Sequence, residues 1–482
     1  MKVLLVNPPS KFFEKKLNVS VSMASPPMGL AYIASMLEEG GHEVKISDMT
    51  MMSEKEARRE IKKYGPDIVG TSCLTNFRSG AFKIMEVAKD VDSDIITIMG
   101  GPHATYMNEQ ILEHVPVDYI VMREGEYTTL ELVQKLEKEK PVKKIKGISF
   151  KNGKKIVTTE PRGIIRDLDS LPLPSWHLLD LKLYDDIGYN YYNTIKSSEL
   201  DGKKITKYPM ATIITSRGCP YCCQFCSTSS FFGHQWRART PKNIVNEMEL
   251  LYNKYKVRFF SFVDDNFTVS PQRVIDISKD IISRNLDIRW ICTSRANITS
   301  FDMLKWIKKA NCIAMGMSPE SGSQKILNNI HKQLTVEQII RTYKMCHKIG
   351  LDVNMALMVG NPGESEKTIQ ETIRVMDKIK PDMIGLNLTK VLPSTELYEI
   401  AKKQGFIKDE DWLDPDFMSP VYTVENSLQT LMSWKRKLMI HFYMKHFGVK
   451  KAARYVLENP ESISTVSKHL LKRVFGGFQQ IV

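Results

Sequence analysis

At 482 residues and 42% hydrophobic content, the chain is long enough for two or three domains, each with its own core. Sixty-eight Lys and Arg against 55 Asp and Glu give a net charge of +13. The basic excess gathers at Lys435, Arg436, Lys437, Lys445, Lys450, Lys451, Arg454, Lys468, Lys472 and Arg473, an end suited to anionic substrates, nucleic acid or peripheral contact with an acidic membrane, or else a solvated helical face.

The first apolar stretch ends at Pro8-Pro9, too soon for a signal peptide, and no apolar run approaches the roughly 20 residues that span a bilayer. Eight Cys, half of them in one short stretch, speak against a disulfide framework and for a reducing, cytoplasmic setting.

Residues 1–150 alternate strand and helix. Strands are expected over Lys2–Val6, Glu43–Ser47, Asp67–Ser72, Ile95–Met99 and Tyr119–Met122, with helices over Leu30–Glu39, Glu54–Tyr64 and Gly80–Val91. This order predicts a doubly wound, Rossmann-like α/β sheet whose ligand sits beyond the carboxyl ends of the strands. Those ends carry Asn7-Pro8-Pro9, Ser72-Cys73-Leu74-Thr75, Gly100-Gly101-Pro102-His103 and Glu124-Gly125-Glu126. No GxGxxG follows the first strand, which argues against a nicotinamide site.

Alternation is lost over 151–205, where Lys151-Asn152-Gly153-Lys154 reads as a hairpin turn and Asp167–Pro174 as a proline-pinned connector, together a linker. Six strands then recur over 206–405, at Thr212–Thr215, Phe259–Val263, Asp287–Cys292, Ile313–Met317, Asp352–Val359 and Met383–Leu388. Between them lie helices such as Lys242–Tyr255 and Met303–Ala310, a pattern that suits a partial (β/α)6 barrel with functional residues at its strand ends. The basic region 406–482 reads as helical, over Leu428–Phe447, Val449–Leu457 and Ile463–Val474. Its aromatics Trp434, Phe442, Tyr443 and Phe447 fit core packing.

The first barrel strand leads into Ser216-Arg217-Gly218-Cys219-Pro220-Tyr221-Cys222-Cys223-Gln224-Phe225-Cys226. Two CxxC pairs could bind zinc, but zinc sites separate their pairs by a folded segment, and here nothing separates Cys222 from Cys223. The other spacing, Cys219-x3-Cys223-x2-Cys226 with Phe225 before the last cysteine, resembles the radical S-adenosylmethionine (SAM) signature. That resemblance implies a 4Fe–4S cluster held by Cys219, Cys223 and Cys226, with one iron open to SAM and Cys222 left out. It further implies SAM contacts from Asp264 and Asp265 to the amine, Arg295 to the carboxylate, Glu320 to the ribose and Gly360 to adenine. Pro393-Ser394-Thr395 departs from the usual Pro-Gly-Thr.

Pro26–Leu30, Pro66–Gly70, Gly100–Thr105 and Arg123–Thr128 together resemble the cobalamin-binding domain that precedes many radical SAM cores. Cobalamin would then be bound at Ser72, Thr75, Gly100, Gly101, Gly125 and Glu126. No DxHxxG follows the first strand, so no lower histidine is expected beneath cobalt, and His103 is more simply a loop residue. The implied reaction abstracts a hydrogen through a 5′-deoxyadenosyl radical and methylates an unactivated carbon of a small-molecule or lipid-like substrate. The electron donor would be a flavodoxin or ferredoxin. Oxidative cyclisation or other C–C bond formation is the alternative outcome, and an RNA-modifying enzyme or a non-catalytic cobalamin- or zinc-binding regulator the rival classes. No RNA-binding module is recognisable, which weighs against nucleic acid as partner.

Overall fold

The run Val3-Leu4-Leu5-Val6 forms the centre of β1 (Lys2–Asn7), buried on both faces as an interior strand of a parallel sheet must be. In the computed structural model the described residues are 1–9, 25–184, 199–200, 203–204 and 209–447, and the helices expected over 449–457 and 463–474 lie outside them. After β1 come α1 (Met28–Glu39), β2 (Glu43–Asp48), α2 (Glu54–Tyr64), β3 (Ile68–Ser72), α3 (Arg78–Val91) and β4 (Ile96–Gly100). The short α4 (Pro102–Tyr106) and α5 (Asn108–His114) lead to β5 (Tyr119–Val121) and α6 (Glu126–Glu137). Local chemistry sets the limits of α2: Ser53 and Glu56 form a reciprocal cap at its start, and Gly65, at φ 60°, ends it.

The five strands pair in parallel in the order β2-β1-β3-β4-β5. The winding reverses between β1 and β3, which opens a crevice at their carboxyl ends. The hairpin turn falls at Asn152–Lys155 as expected, but its strands β6 (Ile148–Asn152) and β7 (Lys155–Thr158) are not linker. They extend the first sheet, β6 antiparallel to β5 and β7 antiparallel to β6, with the Phe150 ring buried 5.9 Å from that of Tyr119.

The connector is a packed strap. Leu168 and Leu171 are buried, Ser175 N–H donates to the Ala31 carbonyl at 3.1 Å, and Trp176 Nε1 donates to Glu247 of the barrel domain at 2.8 Å. After a short hairpin of β8 (Glu199–Leu200) and β9 (Lys203–Lys204), the second sheet begins.

Its elements are β10 (Met210–Ile213), β11 (Ser216–Arg217), α7 (Ser227–Phe232), β12 (Arg237–Ala238), α8 (Pro241–Lys254), β13 (Phe259–Phe262), α9 (Pro271–Ser283), β14 (Arg289–Ser294) and α10 (Phe301–Lys309). There follow β15 (Cys312–Glu320), α11 (Gln324–Asn329), α12 (Val336–Lys348), β16 (Asp352–Val359), α13 (Glu366–Ile379), β17 (Met383–Leu388), α14 (Glu396–Lys403) and α15 (Leu428–Phe442). Strands β10, β13, β14, β15, β16 and β17 pair in parallel in chain order and stay open between β10 and β17, the expected partial barrel.

Helix α15 lies along β16 and β17 and buries Leu431, Trp434, Leu438 and Phe442, so Trp434 and Phe442 are core residues. The preceding loop returns to the first domain. Trp412 is fully buried there, and the Arg78 guanidinium donates to the carbonyls of Trp412 (2.8 Å), Asp414 (2.7 Å) and Phe417. Among the described residues no helix is long and apolar enough to cross a membrane.

Candidate functional site

The cysteine loop is closed at its root by the antiparallel ribbon β11–β12, in which Ser216 faces Ala238 and Arg217 faces Arg237. Gly218 follows at φ +82°, and a Cβ there would stand 2.2 Å from the Gln235 carbonyl oxygen, so the turn from ribbon into loop requires glycine. Beneath the ribbon lies the carboxylate of Asp264. It accepts from Thr215 N (2.9 Å), Thr215 Oγ1 (2.9 Å), Ser216 Oγ (2.7 Å) and Ser216 N. Asp265 accepts from Gly218 N at 2.9 Å and Thr228 Oγ1 at 3.1 Å.

Burial raises the pKa of both carboxyls, and these hydrogen bonds oppose it. Both aspartates, expected at the SAM amine, thus anchor the cysteine loop. Asp264 takes its side-chain hydrogen bonds from Thr215 and Ser216, whereas Asp265 also lines the adjoining cavity.

Cys219, Cys223 and Cys226 are part-buried free thiols. Cys222 is exposed, its sulfur 3.3 Å from His234 Nδ1. Two cations flank the loop. Arg295 stacks on Tyr221, 3.6 Å from the ring centre, and places Nη1 3.7 Å from Cys223 Sγ. Lys332 pairs with Glu320 at 3.0 Å and lies 5.6 Å over the Phe225 ring. Burial raises the pKa of Cys219 and Cys226, while Arg295 at the first and Lys332 at the second pull the other way and favour thiolate.

Glu320 has φ 68° at the end of β15, an uncommon state for a non-glycine residue that an over-determined site holds in place. Among the described residues no three Cys, His, Asp or Glu side chains form a single-ion site.

A cavity of about 290 Å³ lies against this loop. It runs from the carboxyl ends of β3, β4 and β5 down between the sheet and helices α1 and α6, over Val3, Leu5, Ile68, Ile98 and Val133. Ser72, Gly100, Gly101, Gly125 and Glu126 line it, but Thr75 does not; Thr75 lies in the short turn beyond β3, its carbonyl taken by Arg78. Gly29 presents bare helix to the cavity, with no atom within 4 Å of where a Cβ would stand. The opposite wall is Ile214, Ser216, Arg217, Phe231, Phe232, Val263 and Asp265, from the cysteine loop and its neighbouring strand ends.

Two further positions differ from expectation. His103 is 1% exposed and not part of the cavity wall; its ring packs against Phe82 and Trp412, and both its nitrogens lack partners. Burial, aided by the nearby Arg78, lowers its pKa to about 3. Gly360, at φ +97°, was assigned to adenine, but a Cβ there would stand 2.9 Å from Leu431 Cδ1 and 3.5 Å from the Tyr422 carbonyl. Its close approach is made by α15 and the irregular segment before it.

Residues 14–133 match the B12 binding domain and residues 213–376 the radical SAM superfamily. Over 449 residues the chain is 33% identical to an uncharacterized methyltransferase of Pyrococcus horikoshii, covering 92% of this chain and 93% of that one. The chain belongs to the B12-binding radical SAM family.

Within that family it is 29% identical to the anaerobic magnesium-protoporphyrin IX monomethyl ester cyclase of Rubrivivax gelatinosus, covering 82% of this chain and 69% of the relative. The structure of the cobalamin-dependent SAM radical enzyme OxsB superposes with a TM-score of 0.71 at 17% identity, over 99% of this chain and 75% of that one. For the radical SAM methyltransferase TsrM from Kitasatospora setae the TM-score is 0.66 at 17% identity, over 83% and 74%. These two share the fold.

The family's cofactors are cobalamin, SAM and a 4Fe–4S cluster, and the residues present fit them. Three thiols beside two cations suit a cluster with an open iron, and a glycine-lined apolar cavity at the strand ends suits a flat organic cofactor with an inserted tail.

Sequence reasoning missed Lys332, Glu124, Arg217 and Arg237. Each is charged and buried, and their opposite signs in Arg217-Gly218-Cys219 and Glu124-Gly125-Glu126 were the available signal.

Proposed function

We propose that the protein methylates an unactivated carbon of a small-molecule or lipid-like substrate, with Cys219, Cys223 and Cys226 holding the cluster and the cavity between sheet, α1 and α6 holding cobalamin. The observation that carries this reading is the shared wall: the cavity of the first domain is closed by residues of the cysteine loop and by Asp265. When bound, the cluster and SAM supply hydrogen abstraction and cobalamin supplies a methyl group.

The chain's own residues bind and orient. Arg295, beside Cys223, offers a guanidinium to the SAM carboxylate. Glu320, held by Lys332, offers its carboxylate to ribose hydroxyls. Ser72, Gly100, Gly101, Gly125 and Glu126 line the cavity where they would hold the corrinoid, and the apolar floor over Leu5, Ile68 and Ile98 would receive an apolar or aromatic part of it. His103, buried outside the cavity wall and uncharged at neutral pH, would not be the group that ligates cobalt.

Methyl transfer is favoured by the relatives' names, which include a cytidylyl-2-hydroxyethylphosphonate methyltransferase of Streptomyces wedmorensis at 25% identity and a hopanoid C-3 methylase of Methylococcus capsulatus at 22%. A flavodoxin- or ferredoxin-like protein would supply electrons in the cytoplasm. The test is the by-product balance during turnover. Methylation at an sp³ carbon yields 5′-deoxyadenosine and S-adenosylhomocysteine in near-equal amounts with product; product with 5′-deoxyadenosine but neither S-adenosylhomocysteine nor added methyl mass overturns it in favour of the cyclase outcome.

A further inference from the structure

The root of the cysteine loop carries a pair of like charges whose hydrogen-bonded carboxylate partners lie outside its own domain. Arg217 and Arg237 stand directly opposite each other in the β11–β12 ribbon, and both are buried. A like-charged cross-strand pair is destabilising, the more so away from water.

The compensating carboxylates come from the other domain. Glu124 Oε1 accepts from Arg217 Nη1 at 2.8 Å and from Arg237 Nη1 at 3.0 Å, and its Oε2 lies 2.8 Å from Arg237 Nη1. Glu126 accepts from Arg217 Nη2 at 2.6 Å. The turn bearing both carboxylates, with Gly125 between them, is part of the cavity wall, and Glu126 Oε2 is buried there without a partner. Arg217, in turn, is two residues from Cys219.

We propose that Glu124 and Glu126 are positioning residues that couple corrinoid binding to the cysteine loop. The ribbon stays closed, and the three thiols stay gathered, while the 123–126 turn neutralises the Arg217–Arg237 pair; an occupant of the cavity fixes that turn. The inference rests on the cavity being the corrinoid site. Linkage then requires that corrinoid tighten SAM binding by the same factor by which SAM tightens corrinoid binding.

The experiment uses the full chain, reconstituted anaerobically with iron and sulfide. Retained iron and SAM affinity are measured with and without added hydroxocobalamin. In the unaltered protein, hydroxocobalamin should tighten SAM binding by about 5- to 150-fold, the usual span of coupling between sites. Glu124→Gln, which takes the carboxylate from Arg237 and leaves Arg217 with Glu126 alone, should lose most of that gain and retain less iron.

The double variant Glu124→Gln/Arg237→Gln distinguishes coupling from simple adhesion between domains. With one arginine gone the repulsion ends, so iron retention should recover while the corrinoid effect on SAM stays small. If the carboxylates only glue the domains together, the double variant, which lacks one more bond, retains less iron than the single, and the proposal falls. It also falls if Glu124→Gln behaves as the unaltered protein does. Where Glu124→Gln alone fails to fold, a double variant that keeps the full corrinoid effect overturns the proposal, and one that loses it with iron retained supports it. An unaltered protein that takes up neither iron nor corrinoid would sink the parent reading instead.

Discussion

Replacing Asp264 separates anchoring of the cysteine loop from contact with SAM. Oδ1 takes the N–H groups of Thr215 and Ser216 and the Ser216 hydroxyl, while Oδ2 takes the Thr215 hydroxyl. In Asp264→Asn the amide oxygen can occupy the Oδ1 position and keep the first three bonds, and the Thr215 hydroxyl can turn to accept from the amide N–H. What is lost is charge, felt by the buried Arg273 as well, for a cost of about 1–3 kcal/mol.

Asp264→Ala leaves two buried backbone N–H groups unsatisfied, at about 1–3 kcal/mol each, or about 2–6 kcal/mol together. Denaturant unfolding of the two variants under anaerobic conditions should show that ranking. SAM binding to reconstituted Asp264→Asn should stay within a few-fold of the unaltered protein. An Asp264→Asn protein with full iron and unchanged stability, but SAM affinity lowered about tenfold, a 1.4 kcal/mol loss, would refute the anchoring role and restore the amine contact.

Alanine at Cys219, Cys223 or Cys226 should abolish iron retention, whereas Cys222→Ala should keep it; equal losses from all four, read by iron and sulfide analysis, would point to a four-thiolate site. Gly29→Leu should fill the cavity and weaken hydroxocobalamin binding at least about tenfold while keeping the protein folded, since a Cβ at this position meets no atom within 4 Å; unchanged corrinoid affinity would place the cofactor elsewhere. His103→Phe should keep corrinoid binding, and Co(II) paramagnetic resonance of the unaltered protein should lack histidine nitrogen coupling. The same variant should flatten acid sensitivity. With a folded pKa of about 3, His103 stays neutral while the unfolded chain takes up a proton, so its contribution is lost as pH falls from about 6.5 to 3, by at most about 1.4 kcal/mol per pH unit. Equal stability curves for both proteins over that range would contradict the burial argument.

Both sheets were legible because parallel strands buried on two faces write themselves as short apolar runs, as Val3–Val6 and Phe259–Phe262 do. The cysteine spacing was legible because the loop's ligands are close in sequence. What remained hidden depends on partners far along the chain. Arg217 meets Glu124 across 93 positions, and Gly360 is approached by Leu431 of a helix that follows the barrel. The glycine itself suggested a close approach to adenine, whereas in the structure the approaching group is Leu431. Asp264-Asp265 likewise stood at a strand end as expected, but the hydroxyls and N–H groups of Thr215 and Ser216 reach the first carboxylate from the neighbouring strand. The β6–β7 turn was visible in Asn152-Gly153, while the pairing of β6 with β5, where Phe150 packs on Tyr119, was not.

Iron and corrinoid measured on one sample of anaerobically reconstituted full-length protein test most directly whether both cofactors share this chain. About four irons and one corrinoid per chain are expected, with Cys219→Ala losing the iron and keeping the corrinoid. A protein that retains iron but no corrinoid, or corrinoid but no iron, contradicts the two-cofactor site.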